Sequence, residues 1–418
     1  MRSSVAALAA SLTAVVVLLA GCDETDAATG DETPSTAPTG TASESPGDEL
    51  VGLTWGDGST VPTSIIQPEE AAEAAQPSDY AVVVQTPTPS ADGDYVRALG
   101  VLDALSLAVA LVPGGAYEGG EWLSSGSQVG SWDGREFNAF ADTQSLAPSA
   151  HPRQVIASDS DDGTLAWLET DSTNLYTLDW WAFARDTDGR VRSLGSSGEI
   201  VGSLGLPIGS GEPTITVAEG QVLVSTSYPV SDGGGAEFTQ RLVSRPIQGG
   251  EPWVPGQFDV AHVTVAGGNV WTVSSAPEES TRVTADDGRA LVVPQGPIHG
   301  IDGDGRLLAI AAADMMWVID LDAGRGLELP LEAPAASAPP AVCGDVVTWT
   351  SASYDGDTLA PQAAFVLDAR ASQLWRIPVD GIYPGSRCGE DAVVWWSIDP
   401  DGPMPRATST MAAWSPER

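Results

Sequence analysis

Short apolar runs alternate with turn residues along most of this chain. The runs are rich in β-branched and aromatic side chains, and Gly, Asp and Pro separate them, as Gly305 precedes the run at 307–309. Short runs bounded by turn residues are typical of strands rather than helices. Only the stretch 68–76 has the composition of a short helix. The pattern therefore predicts one nearly all-β domain over residues 50–418.

The strands recur with a regular spacing. A turn glycine precedes an apolar strand in six places, and the steps between these glycines are 57, 48, 37, 39 and 45 residues. The glycines are Gly163, Gly220, Gly268, Gly305, Gly344 and Gly389. A second hairpin follows in each unit, as in the segment 315–329. A repeat of about 40–45 residues with four strands is typical of a propeller blade.

Seven units follow from this repeat, and six or eight remain alternatives because the first unit is poorly patterned. The units lie near 78–148, 153–205, 212–256, 259–294, 298–335, 339–380 and 384–414. The last supplies only three strands, so we expect residues 50–66 to add the missing outer strand. That closure would remove a free edge able to template aggregation. A pair of β-sandwiches is the other possible architecture, which the even repeat disfavours.

This pattern resembles β-propellers of the WD40-like, TolB-like and quinoprotein-like kinds over about residues 78–418. The resemblance implies an all-β propeller of seven four-stranded blades closed by an N-terminal strand. It does not extend to quinone chemistry, because neither a vicinal Cys pair nor a recognisable Ca²⁺ ligand set is present. The Trp-Asp dipeptide is not regularly repeated either. We therefore expect no cofactor.

The N-terminus reads as a secretory signal. An apolar segment from Val5 to Ala20 follows the single basic residue Arg2 and is shorter than the ~20 residues of a membrane-spanning helix. It ends in Leu-Leu-Ala-Gly-Cys, which resembles the lipobox of bacterial lipoproteins. The resemblance implies a signal peptide at 1–21 and a lipid on the thiol of Cys22. An ordinary secreted protein and an uncleaved anchor are the alternatives.

The segment 22–49 begins with Cys22 and continues with Asp, Glu, Ser, Thr, Pro, Gly and Ala. It contains almost no large apolar side chain, so it cannot bury enough surface to offset the entropy of ordering. The composition predicts a disordered acidic tether. Its expected role is to hold the domain at 50–418 clear of the membrane, on the extracytoplasmic face.

The charge balance narrows the range of partners. The chain has 18 Lys and Arg residues against 57 Asp and Glu residues, a formal charge of −39, and all of its basic residues are Arg. Nucleic acid is excluded as a partner because no basic footprint is present. Anionic lipid would also repel the domain, so attachment should depend on the lipid anchor. The Arg-only usage indicates a GC-rich genome, such as that of an actinobacterium.

Two cysteines remain besides Cys22. Cys343 and Cys388 each precede Gly at matching places in neighbouring units. In a propeller these places face each other on adjacent inner strands, and an oxidising compartment favours a disulfide if the Cα atoms lie within ~7 Å. Two free buried thiols are the alternative.

Residues able to carry catalysis are few. The three histidines, His151, His262 and His299, share no metal-ligand spacing, so we expect no metal site. The sequence has no nucleophile elbow, zinc-protease motif, phosphate loop or Cys-x-x-Cys. Acidic segments such as 159–163 and 302–305 fit hairpin turns better than Ca²⁺ loops. A catalytic pair of carboxylates stays open, because pairing in space is not visible in a sequence.

Tryptophan is unusually common, with 14 residues. Adjacent strand residues point to opposite faces, and both faces of a blade are covered by neighbouring blades, so most Trp side chains should be core. Trp180 and Trp181 lie in a more irregular stretch, which makes them weak candidates for stacking on a ligand such as a sugar.

Two functions are compatible with these features. The first is a membrane-tethered extracytoplasmic module that binds or scaffolds a protein, a peptide or a cell-wall glycan. The alternative is an extracellular hydrolase, glycosidase-like or lactonase-like, with carboxylates facing the central channel. The lack of catalytic motifs favours the binding module over the enzyme.

Overall fold

The computed structural model describes most of the chain beyond residue 51. The described ranges are 52–87, 94–113, 126–172, 179–201, 213–229, 238–276, 281–294, 296–312, 314–331, 339–351, 354–355, 358–359, 362–379, 381–389, 391–398 and 407–415. They belong to the second of two compact units, which begins at Leu50. The predictions for Cys22, the signal peptide 1–21 and the tether 22–49 lie outside the described residues.

Seven sheets, each built on consecutive antiparallel strands, form the fold. An N-terminal arm precedes them with β1 Thr54–Trp55, β2 Thr63–Ile65, a 3₁₀ turn Pro68–Glu70, β3 Ala72–Glu73 and β4 Tyr80–Gln85. Blade 1 has β5 Tyr95–Asp103, β6 Ser106–Val112, β7 Gln128–Trp132 and β8 Phe137–Ala139. Blade 2 has β9 Gln154–Asp161, β10 Thr164–Thr170, β11 Trp181–Arg185 and β12 Val191–Ser196. Blade 3 has β13 Thr214–Ala218, β14 Gln221–Pro229, β15 Phe238–Pro246 and β16 Val254–Phe258.

Four further blades complete the ring. Blade 4 has β17 Val260–Ala266, β18 Asn269–Ser274, β19 Arg282–Ala285 and β20 Ala290–Val292. Blade 5 has β21 Ile298–Asp304, β22 Leu307–Ala312, β23 Met315–Asp320 and β24 Arg325–Pro330. Blade 6 has β25 Ala341–Cys343, β26 Val346–Ser351, β29 Gln362–Asp368 and β30 Gln373–Val379, with a separate hairpin of β27 Tyr354–Asp355 and β28 Thr358–Leu359. Blade 7 has β31 Ile382–Gly389, β32 Ala392–Ile398 and β33 Ala407–Trp414.

The first strand of each blade lies innermost, and these inner strands contact one another in a closed circle from β5 through β31 back to β5. The prediction of a seven-bladed propeller closed by an N-terminal strand is confirmed. Two short helices, α1 Thr143–Leu146 and α2 Gly198–Val201, lie between blades. Within the described ranges, no helix is long and apolar enough to pass through a membrane.

The expected source of the closing strand was wrong. Strand β4, not the segment 50–66, pairs antiparallel with β33 and becomes the outer strand of blade 7. For the same reason blade 1 begins at β5 rather than near residue 78. The sequence pattern could not separate these possibilities, because several short apolar runs near the N-terminus have suitable strand composition.

The earlier part of the arm runs along the outer edges of three other blades. β1 adds to blade 4, β2 to blade 5 and β3 to blade 6, so these blades have five strands. The helix expected over 68–76 is reduced to the 3₁₀ turn Pro68–Glu70, because the following residues pair with β30. Pairing with a sheet edge has overridden local helix propensity.

Apolar side chains fill the spaces between neighbouring blades. Six of the seven interfaces contain buried aromatic residues, for example Trp167 and Phe183 between blades 1 and 2. Trp395 and Trp396 point to opposite faces of blade 7 and enter two different interfaces, as the alternation of strand side chains requires. The interface between blades 3 and 4 differs, because its buried cluster is small and aliphatic.

Candidate functional site

The inner strands bring three charged side chains to the axis of the ring. Each stands two residues before the end of its inner strand: Asp159 in blade 2, Asp302 in blade 5 and Arg387 in blade 7. The guanidinium of Arg387 reaches from blade 7 to blade 2, where its Nη2 donates to the carbonyl oxygen of Ser158 at 3.4 Å. All three groups interact electrostatically. They form the charged centre of the channel, which we call the axial triad.

Both carboxylates of the axial triad join neighbouring blades. Asp159 Oδ2 accepts the backbone N–H of Val217 in blade 3 at 2.8 Å. Asp302 Oδ2 accepts that of Val342 in blade 6, also at 2.8 Å, and Asp302 Oδ1 accepts the Thr264 hydroxyl of blade 4 at 3.3 Å. These hydrogen bonds use carboxylate oxygens to satisfy inner-strand N–H groups that have no further strand to pair with. The triad therefore contributes to closing the ring.

The two carboxyl groups of the axial triad have higher pKa values than ordinary surface carboxyl groups. Burial, reinforced by the negative charge of Asp159, raises the pKa of Asp302 to about 7. Burial also raises the pKa of Asp159, although the Val217 N–H and Arg387 oppose the rise. A carboxyl with a raised pKa can donate a proton near neutral pH, which is a property of general acids.

The acidic segments 159–163 and 302–305 end the inner strands β9 and β21 and continue into the hairpin turns that lead to the second strands. Asp162 and Gly163 have φ of 49° and 74°, the left-handed region used by such tight turns. Burial, with a smaller contribution from the negative charge of Asp304, raises the pKa of Asp161 to about 6. Among the residues that the structure describes, His, Cys, Asp and Glu side chains form no group of three suited to a metal ion.

Two of the three histidines come close together at the other end of the inner strands. His262 lies on β17 of blade 4, and His299 lies on β21 of blade 5. Burial, with a smaller effect of the His299 charge, lowers the pKa of His262. The sequence spacing of 262 and 299 gave no sign of this approach, because it arises from adjacent blades.

Trp180 is not available for stacking on a ligand. Its side chain is fully buried, its Nε1 donates to Thr226 Oγ1 at 2.8 Å, and its ring packs edge-on against Trp253 at 5.6 Å. The suggestion that Trp180 binds a ligand is thus wrong. Although the flanking stretch is irregular, the side chain fills the interface between blades 2 and 3.

Trp181 is half-buried and packs on the other face of blade 2. Its ring lies 5.4 Å from the guanidinium carbon of Arg153. Arg153 Nε donates to Glu169 Oε2 at 2.8 Å, and both side chains are 1% exposed. Glu169 Oε1 also accepts the indole N–H of Trp167 at 2.8 Å. Trp181 thus covers a buried ion pair and keeps part of its ring exposed. Its contact with a ligand stays a prediction.

Cys343 and Cys388 lie at disulfide distance. They stand on the inner strands of blades 6 and 7, with Cα atoms 5.9 Å apart and sulfur atoms 2.11 Å apart. The expectation that matching places in neighbouring units face each other is met. The pair flanks the axial triad directly, since Arg387 precedes Cys388.

The outer edge of blade 3 is exposed along its whole length. All five residues of β16 are exposed, and they include Val254 at 53% and Phe258 at 42%. The Arg241 guanidinium lies between two aromatic rings here, 4.5 Å from the Tyr228 centroid and 4.2 Å from that of Phe258. By contrast, the arm covers the outer edges of blades 4 to 7.

Comparison with solved structures finds chains that match most of this one. A chain of the mitotic checkpoint complex matches with a TM-score of 0.47 and 10% identity, over 83% of this chain and 97% of that one. The Neurospora crassa Pan2 WD40 domain matches with a TM-score of 0.43 and 11% identity, over 83% and 98%. Acylaminoacyl peptidase matches with a TM-score of 0.51 and 7% identity, over 77% of this chain and 51% of that one.

The fold is that of a seven-bladed β-propeller. At 7% identity the peptidase match shows the fold alone. No protein-family model and no curated protein matches the sequence.

Sequence reasoning missed two features of this propeller. Arg387 was not singled out, because the turn glycines do not align it with the two carboxylates: Asp159, Asp302 and Arg387 stand four, three and two residues before Gly163, Gly305 and Gly389. The exposed edge at β16 was also missed, because Val254 and Phe258 look like any other strand residues until the arm is seen to cover the outer edges of blades 4 to 7.

Proposed function

We propose that this protein is a bacterial lipoprotein, held on the extracytoplasmic face of the cell membrane, whose propeller binds a protein partner. The proposal combines the secretion signal at 1–21, the lipid on Cys22 and the acidic tether 22–49 with the propeller. The Arg-only composition supports a GC-rich, actinobacterial source. An extracytoplasmic address also agrees with the closely placed pair Cys343 and Cys388.

The exposed edge of β16 is the observation that carries the binding role. A strand at the edge of a sheet presents unpaired backbone groups, and proteins ordinarily cover or blunt such edges. Here the arm covers the outer edges of blades 4 to 7, while β16 keeps Val254 and Phe258 exposed. Aromatic residues and Arg are enriched where proteins bind one another, and Phe258 lies against Arg241.

A photo-crosslinking amino acid tests the binding role in cells that make the protein. Placed at Val254, it should give adducts with an envelope protein. Leu105 is the matched control site, because it is 67% exposed in a turn of blade 1. Adducts equally strong from position 105, or none from position 254, would contradict a binding role for this edge.

Replacing Cys22 tests the membrane attachment. A Cys22→Ala variant should move from the membrane fraction to the medium, since two or three acyl chains are needed for firm anchoring. The double variant Cys343→Ala/Cys388→Ala, which keeps the lipidation site, should stay with the membrane. If processed Cys22→Ala protein still partitions into detergent, the lipid anchor proposed here is wrong.

An extracellular hydrolase is the second candidate function. It is favoured by the raised pKa values of Asp302 and Asp161, because such carboxyls can act as general acids near neutral pH. Hydrolysis of glycosides or lactones by the purified propeller would be measured with Asp302→Asn beside it. A glycosidase- or lactonase-like activity should fall by at least about 100-fold in the variant. Equal activity in both proteins would remove Asp302 from this role.

A further inference from the structure

The interface between blades 3 and 4 is incompletely filled. Among the residues that the structure describes, its buried cluster consists of Leu223, Leu242, Val260 and Val263, whereas buried aromatic rings contribute to the other six interfaces. A groove of about 230 Å³ remains there, beside β16. We call it the blade 3/4 groove. The other interfaces fill this space with an aromatic side chain. In the blade 3/4 groove, a side chain of another molecule can occupy the same space.

The walls and the rim of the blade 3/4 groove differ in chemistry. Leu223, Leu242 and Val270 form the apolar walls. Ser244, Gln257 and Asp286 contribute polar atoms, and the Asp286 side chain is exposed. An occupant would therefore bury an apolar group between the walls and meet a negative charge at the rim.

The size of the groove favours one side chain over a whole small molecule. An apolar cavity of about 150 Å³ is large enough to hold a benzene ring. Pockets for drug-sized ligands are larger, at about 300–1,000 Å³. The groove, at about 230 Å³, lies between these values. It matches one aromatic or leucine side chain carried by a larger partner.

The backbone beside the groove is suited to an extended segment. β16 is the outermost strand of blade 3, and all its residues are exposed. The chain's own arm shows that outer edges of these blades accept added strands, since β2 and β3 pair in parallel with β24 and β30. Pro255 lacks an N–H and limits the pairing to part of the strand, so the groove must supply the remaining affinity.

The negative charge around the groove favours a partner segment that carries positive charge. The chain has a net charge of −39, and Asp286 adds a carboxylate at the groove itself. Basic residues next to the apolar anchor would be attracted to this surface and would speed association. An acidic segment of the same shape would be repelled.

We propose that the blade 3/4 groove binds an extended segment of a partner protein, with an aromatic or leucine side chain between the walls and Lys or Arg at the rim. This inference rests on the proposed binding function and names its site and the chemistry of its partner. Backbone pairing along β16 orients the segment, and the apolar side chain completes the interface that the propeller leaves unfilled. Recognition thus resembles the addition of an edge strand with one side chain in a pocket.

Two synthetic peptides of equal charge test the groove. In one, lysine and valine alternate around a central tryptophan; in the other, serine replaces the tryptophan. The full chain should bind the first peptide about tenfold more tightly, because only that peptide fills the groove. Equal affinities would show that charge alone attracts the peptides and would overturn the inference.

A filling substitution provides the second arm of the test. Ser244→Trp places an indole ring in the groove. The variant should bind the tryptophan peptide about tenfold less tightly than the wild-type protein does, with an affinity equal to that for the serine peptide. Leu105→Trp adds the same side chain on blade 1 and should change nothing. Unchanged affinity of Ser244→Trp would overturn the inference.

A charge substitution at the rim keeps the test decisive if Ser244→Trp does not fold. Asp286→Arg alters an exposed residue, so the fold should be retained. The variant should bind the tryptophan peptide less tightly than the wild-type protein does. It should bind more tightly a version of this peptide in which glutamate replaces lysine. If Asp286→Arg leaves both affinities unchanged, Asp286 does not contact the basic residues of the bound peptide.

The crosslinking experiment at Val254 separates the inference from the proposed function. If wild-type protein and Ser244→Trp give the same partner adducts, a binding function stands but the groove is not its site. If the wild-type protein gives no adducts, the proposed function fails, whatever the peptides show. Adducts that Ser244→Trp abolishes and Leu105→Trp retains would support both.

Discussion

Asp302 shows how one side chain serves both the fold and the electrostatics of the channel. Its two oxygens accept hydrogen bonds from blades 4 and 6 while the side chain itself belongs to blade 5. The same enclosure raises its pKa to about 7. A side chain that links three blades is therefore also one that gains a proton near neutral pH.

The raised pKa of Asp302 predicts a pH dependence of stability. Between about pH 4, the ordinary range of Asp, and about pH 7, the folded protein keeps a proton that the unfolded chain has lost. Since the folded state binds more protons in this window, the free energy of unfolding should fall as pH rises. Asp302→Asn should reduce that fall by about 1 kcal/mol or more between pH 4 and pH 8. Urea unfolding between pH 4 and pH 8 measures this.

Asp287→Asn is the control for that measurement. The Arg289 backbone N–H lowers the pKa of Asp287, so this carboxylate does not contribute to the same window. The variant should retain the wild-type slope between pH 4 and pH 7. Curves for Asp302→Asn and wild type that stay parallel throughout would show that Asp302 is not the titrating group.

At the scale of elements, the N-terminal arm is held by very few residues. β1, β2 and β3 contain two or three residues each, which is too little pairing to fix a strand alone. Leu53 and Val61 supply further attachment of the arm, because both side chains are buried in the apolar cluster between blades 4 and 5. The arm is thus attached mainly through apolar side chains, and its backbone pairing sets the direction.

Leu53→Ala should destabilise the propeller by about 2–4 kcal/mol, as expected for a leucine truncated in a core. Leu53 has no exposed surface, whereas Ile65 on β2 is 57% exposed. Ile65→Ala should therefore cost no more than about 0.5 kcal/mol. Denaturant unfolding of both variants gives the comparison. Similar losses for the two would mean that the arm does not pack as described.

At the scale of the whole molecule, three features close the ring. β4 completes blade 7, the inner strands contact one another around the axis, and the cysteine pair connects blades 6 and 7. Blade 7 is built from the two ends of the propeller, so its assembly requires the longest sequence separation in the fold. A covalent link beside that blade would strengthen the part of the ring that forms from distant segments.

A disulfide between Cys343 and Cys388 closes a loop spanning 45 residues. On the chain-entropy model this stabilises the protein by about 4 kcal/mol. Reduction, or the double variant Cys343→Ala/Cys388→Ala, should therefore lower the free energy of unfolding by about that amount. Peptide mapping without reductant should recover the two cysteines in linked peptides.

The double variant is also the control, because reductant should not change its stability. Two titratable free thiols in the folded protein, secreted through its own signal, would contradict the link.

The sequence by itself predicted the repeat, a count of seven blades with six and eight left open, and the pairing of Cys343 with Cys388 with free thiols as the alternative. These follow from local patterns, since turn glycines and alternating apolar residues act within each unit and matching positions then align. Only the tertiary structure decided which N-terminal segment closes the ring, because β4 and the segment 50–66 have similar strand composition.

Only the tertiary structure, likewise, assembled Asp159, Asp302 and Arg387 at the axis and left the groove beside β16. Their proximity depends on the circular arrangement of blades distant in the chain. The burial of Trp180 was decided in the same way, by the neighbouring blade. Contacts between blades are set by the ring as a whole, and no local pattern records them.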